Sequence, residues 1–146
     1  MLDKRKFYIN GRWVEPKKPN DFNVINPCNE DPCAIISLGS KEDTNAAIKS
    51  AKNAFETWRE TTKEDRLNYL EKLLSVYKKR SREMAEAISL EMGAPMDWAT
   101  EVQTASGQSH LEDFILRLKD FEFDEHFNKK SNNHICYEPI GVCGLI

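Results

Sequence analysis

The chain has 146 residues, of which 40% are hydrophobic and 31% charged, with a formal net charge of -3. That length fits one domain, and the balance fits a globular protein rich in exposed helix. A small net charge without a basic stripe argues against nucleic acid as a partner, and no apolar run approaches the ~20 residues that span a bilayer, so no membrane role is expected.

Met1 to Lys6 is charged, but no apolar stretch follows it, so no secretory signal is expected. Phe7-Tyr8-Ile9 and Trp13-Val14 are β-formers on either side of Asn10-Gly11. That pair accepts positive φ and predicts a type I′ hairpin turn. Glu15 to Asn20 holds two prolines and two lysines and reads as a loop. Two further strands are predicted at Phe22–Asn26 and Ala34–Leu38, joined by the turn-forming Pro27 to Pro32. The start of the chain thus reads as two successive hairpins.

Helical spacing begins after Ser40. Ser40-Lys41-Glu42-Asp43 resembles a capping box with Asp in place of Glu. Ala47, Ile48, Ala51, Ala54, Phe55 and Trp58 then form one apolar stripe. Thr61-Thr62-Lys63-Glu64 predicts a second cap, followed by a long helix through Leu67, Leu70, Leu74, Met84 and Ile88. Lys78-Lys79-Arg80 is read as its solvated face, and Gly93 as its end. Pro95 opens a third helix carrying Trp98, Val102, Leu111, Ile115 and Leu118. Gly107 inside it costs about 1 kcal/mol against alanine, so either something approaches closely there or the helix bends. His134–Tyr137 and Gly141–Ile146 are the last predicted strands.

No catalytic constellation holds. G-x-G-x-x-G, G-K-[ST] and H-E-x-x-H are all missing, and the three histidines His110, His126 and His134 are scattered. Gly107-Gln108-Ser109-His110 lies inside a helical pattern and reads as packing. Cys28, Cys33, Cys136 and Cys143 show C-x4-C and C-x6-C spacings, neither of which is a zinc knuckle or a redox pair. They read as ordinary reduced cysteines of a cytoplasmic protein, with a disulfide or a metal site as the alternative. Ile140 to Ile146 is an uncharged apolar run of the kind that forms a buried parallel strand. Such a strand needs neighbours that the rest of the sequence does not offer, so the chain reads as a piece of something longer.

Several segments in order resemble the aldehyde dehydrogenase family. They are Phe7 to Val14, Val24-Ile25-Asn26-Pro27, the helix around Ala46 to Phe55 with Trp58, Arg66 to Leu74, Glu91-Met92-Gly93-Ala94-Pro95, and Tyr137 to Gly144. Each is short, but together they cover nearly the whole chain.

The resemblance implies an α/β fold. Its N-terminal part would comprise β-hairpins, three amphipathic helices, an oligomerisation-type strand over 129–138 and the first strand of a Rossmann-like sheet. Residues 1–146 would be a partial cofactor-domain region. The family oxidises an aldehyde to a carboxylic acid with NAD or NADP, using a thiol nucleophile and a glutamate base. The motifs that carry those groups have no match here. No catalytic residue is therefore assigned, and the chain alone is expected to be inactive and to hold no dinucleotide tightly.

Accessory roles carry over by resemblance alone. Ile146 matches a position whose backbone lies along the dinucleotide, or it is a plain strand residue. The Ile25 carbonyl and Glu91 match positions that hold a sodium or potassium ion in some members; alternatively, Glu91 only caps or solvates its helix end. Ser131–Tyr137 matches the strand that pairs subunits into a homo-oligomer, and it or Ile140–Ile146 is a candidate for self-association. Gly107 and His110 match a helix bordering the aldehyde entry path. A second reading is a non-enzymatic remnant that docks to a full-length subunit.

Overall fold

The computed structural model describes residues 1–127 and 132–145. Its first layer is β. Strands β2 (Phe7–Ile9) and β3 (Arg12–Val14) pair antiparallel, with Tyr8 opposite Trp13. Asn10 (φ 54°) and Gly11 (φ 74°) supply the two positive φ values that a type I′ turn needs. Strands β4 (Asp21–Ile25) and β5 (Pro32–Ser37) form the second predicted hairpin, with a register irregularity between Val24 and Ile25.

One strand was not foreseen. Leu2–Asp3 forms β1, which runs parallel to β5 with Leu2 opposite Ala34, so that the sheet order is β1-β5-β4. The Lys4 N–H continues this pairing onto the Ile35 carbonyl at 2.8 Å. Two residues are too short for any alternating pattern to show in the sequence.

Helix α1 (Lys41–Trp58) begins at the expected capping box. Ser40 accepts from the Asp43 N–H, and the Asp43 carboxylate accepts from the Ser40 N–H at 3.0 Å. Asp43 has a further role. It is only 5% exposed, and its other oxygen accepts the Lys17 N–H at 2.9 Å, tying the Glu15–Asn20 loop to the helix. The Lys17 N–H first, then the Ser40 hydroxyl, hold its carboxyl below the ordinary value of 3.8.

This tie has a pH signature. A carboxyl whose folded pKa is depressed contributes its full stability above the unfolded value and loses it as pH falls through the lower folded value. The gap in melting temperature between the wild type and Asp43→Asn is therefore expected to shrink as pH falls through the ordinary carboxylate range and below it. Thermal melts followed by circular dichroism check this; a gap of constant size across that range would contradict it.

The second cap sits one residue later than the S/T-x-x-E pattern suggests. Thr62 accepts from the Asp65 N–H, and Asp65 returns the bond, so Thr62 rather than Thr61 starts α2 (Lys63–Lys79). Asp reaches back as Glu does, and the position is fixed by which hydroxyl meets the N3 amide.

The long predicted helix is two helices. Arg80 (φ -109°, ψ 11°) separates α2 from α3 (Ser81–Met92). The Arg80 N–H is shared between the Val76 and Tyr77 carbonyls, and the Ser81 hydroxyl donates to Lys78 O at 3.1 Å. This is local competition for helix carbonyls, and neither glycine nor proline announces it. The basic run is exposed as expected, with Lys78 paired to Glu112 at 2.7 Å and Arg80 to Glu83 at 2.8 Å.

The third helix changes pitch along its length. A short α4 (Met96–Trp98) runs into a wide π-turn at Ala99–Thr104, and α5 (Ala105–Asp120) follows. Helix α2 packs on α5, and α3 packs on the π-turn. Ala85 of α3 and Ala99 of the π-turn are both fully buried, so small side chains allow a close approach there. Beyond Phe121, β6 (Asp124–His126) pairs antiparallel with β7 (His134–Cys136).

The core is thin. Ala34, Leu67, Ala85, Ala99 and Ile115 are the buried apolar residues among those described. Leu73 and Val76 on α2, by contrast, are each 50% exposed. The apolar stripes are thus written for more cover than the described residues give them. Residues 141–145 form no strand, contrary to the expectation for Gly141–Ile146; Leu145 is 96% exposed. Without a neighbouring strand there is no ladder for this run to join.

Candidate functional site

The sequence points to one corner above others, where the C-terminal end of α3 meets the β4–β5 connection. Gly93 closes α3 in the left-handed region at φ 72°, and its N–H reaches Ser89 O at 2.9 Å. A Cβ built on Gly93 would stand 2.8 Å from Pro27 Cγ and 3.5 Å from Cys28 Sγ. The helix end and the turn after Ile25 are therefore in direct contact. Glu91 lines a cleft of about 680 Å³ together with Leu2, Lys4, Cys33 and Ala34.

Ile25 and Glu91 lie on the two elements that meet at this corner, although Ile25 is not among the residues lining the Glu91 cleft. Ile25 faces Pro32 in the register, and proline has no N–H to give the Ile25 carbonyl. Glu91 is exposed and has no ion-pair partner among the described residues. The last carbonyls of α3 have no intrahelical donor, which places partial negative charge at the same end. Among the described residues no three acidic, histidine or cysteine side chains gather as a metal cluster, so the oxygens available are chiefly backbone ones.

The second element is the π-turn in the third helix. The Tyr77 hydroxyl donates to Thr104 O at 2.9 Å, a carbonyl at the end of the π-turn. A Cβ on Gly107 would collide with that hydroxyl and would stand 3.1 Å from Tyr77 Cζ. Of the two alternatives for Gly107, the close approach is the one seen: the Tyr77 ring stands against it, three residues after the π-turn ends. Gln103 Oε1 and Thr104 Oγ1 are buried in the π-turn without a partner among the described residues. His110 lies farther along α5 and is exposed.

The remaining sequence-predicted positions are placed unevenly. Ile146 and residues 128–131 lie outside the described residues, so the dinucleotide position and the start of the 129–138 segment are not placed. His134–Cys136 is a strand, as expected within Ser131–Tyr137, and is exposed. The sequence reading missed β6, its partner, whose residues Asp124-Glu125-His126 are polar throughout. It also missed Tyr77 as the partner of Gly107; the clue was an aromatic residue on the stripe facing an interior glycine. All four cysteines are free thiols, and Cys33 Sγ donates to Val24 O at 3.3 Å.

The model of the aldehyde dehydrogenase family matches residues 13–146. The chain is 39% identical over its full length to 3-succinoylsemialdehyde-pyridine dehydrogenase of a Pseudomonas species, and covers 30% of that protein. It is 36% identical to a putative aldehyde dehydrogenase of Staphylococcus saprophyticus, again covering 30%. Among solved structures, an aldehyde dehydrogenase from Bartonella henselae superposes with a TM-score of 0.88 and 51% identity, over 90% of this chain and 28% of that one. Aldehyde dehydrogenase C from Pseudomonas syringae, crystallised with NAD+ and octanal, superposes at 0.82 with 32% identity, over 85% of this chain and 26% of that one. The chain thus spans about a third of the length of the curated relatives it matches.

Proposed function

The chain belongs to the aldehyde dehydrogenase family, and from that premise we propose that it is the N-terminal region of an NAD(P)-dependent enzyme oxidising an aldehyde to a carboxylic acid. The observation that carries this reading is the superposition on the Bartonella enzyme at 51% identity over 90% of the chain. In such a reaction a nicotinamide cofactor, when bound, would supply the hydride acceptor. This chain's own contribution is a scaffold: a β layer, a helical layer, and the corner between them. Ile146 is the position proposed to lie along the dinucleotide, and the Ile25 carbonyl with Glu91 the pair proposed to hold a sodium or potassium ion.

Within this reading, residues 1–146 act as part of a cofactor domain and 129–138 as the strand that joins subunits into a homo-oligomer. A cytoplasmic location accords with the four free thiols. Among the described residues no helix is long and apolar enough to cross a membrane.

The chain by itself is proposed to be catalytically silent. A thiol nucleophile needs an adjacent base or a site that lowers its pKa. Among the described residues, no histidine or carboxylate is a hydrogen-bond partner of the Cys28, Cys33, Cys136 or Cys143 thiol. Purified chain, incubated with NAD or NADP and a panel of short aldehydes, is expected to give no NAD(P)H above a blank without protein. Formation of NAD(P)H that boiling abolishes would overturn this.

A further inference from the structure

We propose that the β6–β7 hairpin carries a binding site for a divalent transition-metal ion such as Zn2+, with His126 and His134 as its two imidazole ligands and Asp124 as the residue that positions one of them.

The geometry starts from strand register. His126 pairs directly with His134, and Asp124 with Cys136. Side chains alternate along a strand and directly opposed residues share a face, so Asp124, His126, His134 and Cys136 project to one side of the ribbon. Glu125 and Tyr137 lie on the other, where the Tyr137 hydroxyl donates to Glu125 at 3.2 Å. The two imidazoles already face each other, with ring centroids 4.2 Å apart. Two nitrogens bound to one tetrahedral Zn2+ at about 2.0–2.1 Å are about 3.4 Å apart, so the two rings, tilted 47° to each other, turn about their Cβ–Cγ bonds to aim both lone pairs at one ion.

Proton placement favours the same reading. His134 Nδ1 lies 2.7 Å from Asp124 Oδ1. A carboxylate only accepts, so in the neutral ring the proton sits on Nδ1 and the lone pair on Nε2 is free. This is the carboxylate–histidine–metal arrangement, in which the outer carboxylate fixes the tautomer and makes the ring a better ligand. The hairpin is held on both sides of the pair. The Phe127 N–H reaches Asn133 O at 2.9 Å and the Tyr137 N–H reaches Phe123 O at 2.8 Å. Phe121 packs on Phe123 and Tyr137 at its root. Both histidines are exposed in this chain, and the site rests on their face of the hairpin staying open when 129–138 joins subunits as proposed above. Since no three such side chains converge among the described residues, the site is a two-imidazole chelate with its remaining positions left to solvent.

The test is calorimetric titration of the full, untagged chain with Zn2+ at neutral pH. One ion per chain is expected, with affinity at least about tenfold weaker in His126→Ala and in His134→Ala, and about tenfold weaker in Asp124→Asn. NMR of the wild-type imidazoles gives a readout that needs no substitution: the ring signals of His126 and His134 should shift with one equivalent of Zn2+, and that of His110 should not. Absence of binding would overturn the proposal. So would binding undiminished in both histidine variants, which would assign the ion to the thiols, or ring signals that stay unchanged in the wild type.

Discussion

Replacing Gly93 with alanine is expected to cost about 2–5 kcal/mol. Two penalties coincide. An L-residue in the left-handed region costs about 1–2 kcal/mol, and Gly93 stands at φ 72°. Overpacking a closed contact costs about 1–3 kcal/mol, and the new Cβ would lie 2.8 Å from Pro27 Cγ. The two parts separate experimentally. Pro27→Ala removes the clashing Cγ, so the double variant should recover the packing share and keep the backbone share. Urea unfolding followed by helical circular dichroism measures this. A loss below about 1 kcal/mol in Gly93→Ala would mean that the α3 end does not seat on the turn after Ile25.

Gly107→Ala is expected to destabilise by about 1–2 kcal/mol, although intrinsic helix propensity favours alanine by about 1 kcal/mol. Steric conflict with Tyr77 decides the sign. The added Cβ would collide with the Tyr77 hydroxyl, which can move aside only by giving up its bond to Thr104 O. A tyrosine ring has few rotamers to swing into, and Cζ also stands at 3.1 Å. In a Tyr77→Phe background the hydroxyl is gone, and the cost of the alanine should fall. A double-mutant cycle by urea denaturation should therefore show coupling of about 1 kcal/mol between the two positions. A stabilised Gly107→Ala variant, with no coupling to position 77, would show that the π-turn is not held by this ring.

Much of this fold was legible because local chemistry announced it. Asn10-Gly11 gave the hairpin turn, Ser40 with Asp43 gave the first cap, and Gly93 gave the end of a helix; each is a residue whose backbone or side chain has few alternative uses. The break at Arg80 was not legible, because shared N–H bonds and a serine hydroxyl made it without glycine or proline. Strand β1 escaped notice because its stability comes from β5, far along the chain, and not from its own two residues. Asp43 was visible as a cap, but its bond to Lys17 depends on how a proline-rich loop returns over the helix.

The site was legible in pieces and not as a whole. Ile25 and Glu91 drew attention only through resemblance; that their elements meet is a tertiary fact, expressed in the Gly93–Pro27 contact. The facing of His126 and His134 needed the register of a hairpin whose first strand, Asp124-Glu125-His126, is too polar to read as β.

The central claim is that this chain is the N-terminal region of a working aldehyde dehydrogenase, and a chimera tests it most directly. The matching segment of the Bartonella henselae enzyme would be replaced by residues 1–146, and the product assayed with NAD or NADP and an aldehyde that the host oxidises. The account predicts NAD(P)H formation within about tenfold of the host, lost when the host's nucleophilic cysteine is replaced. A chimera that folds and assembles as the host does, yet forms no NAD(P)H with its nucleophile intact, would contradict it.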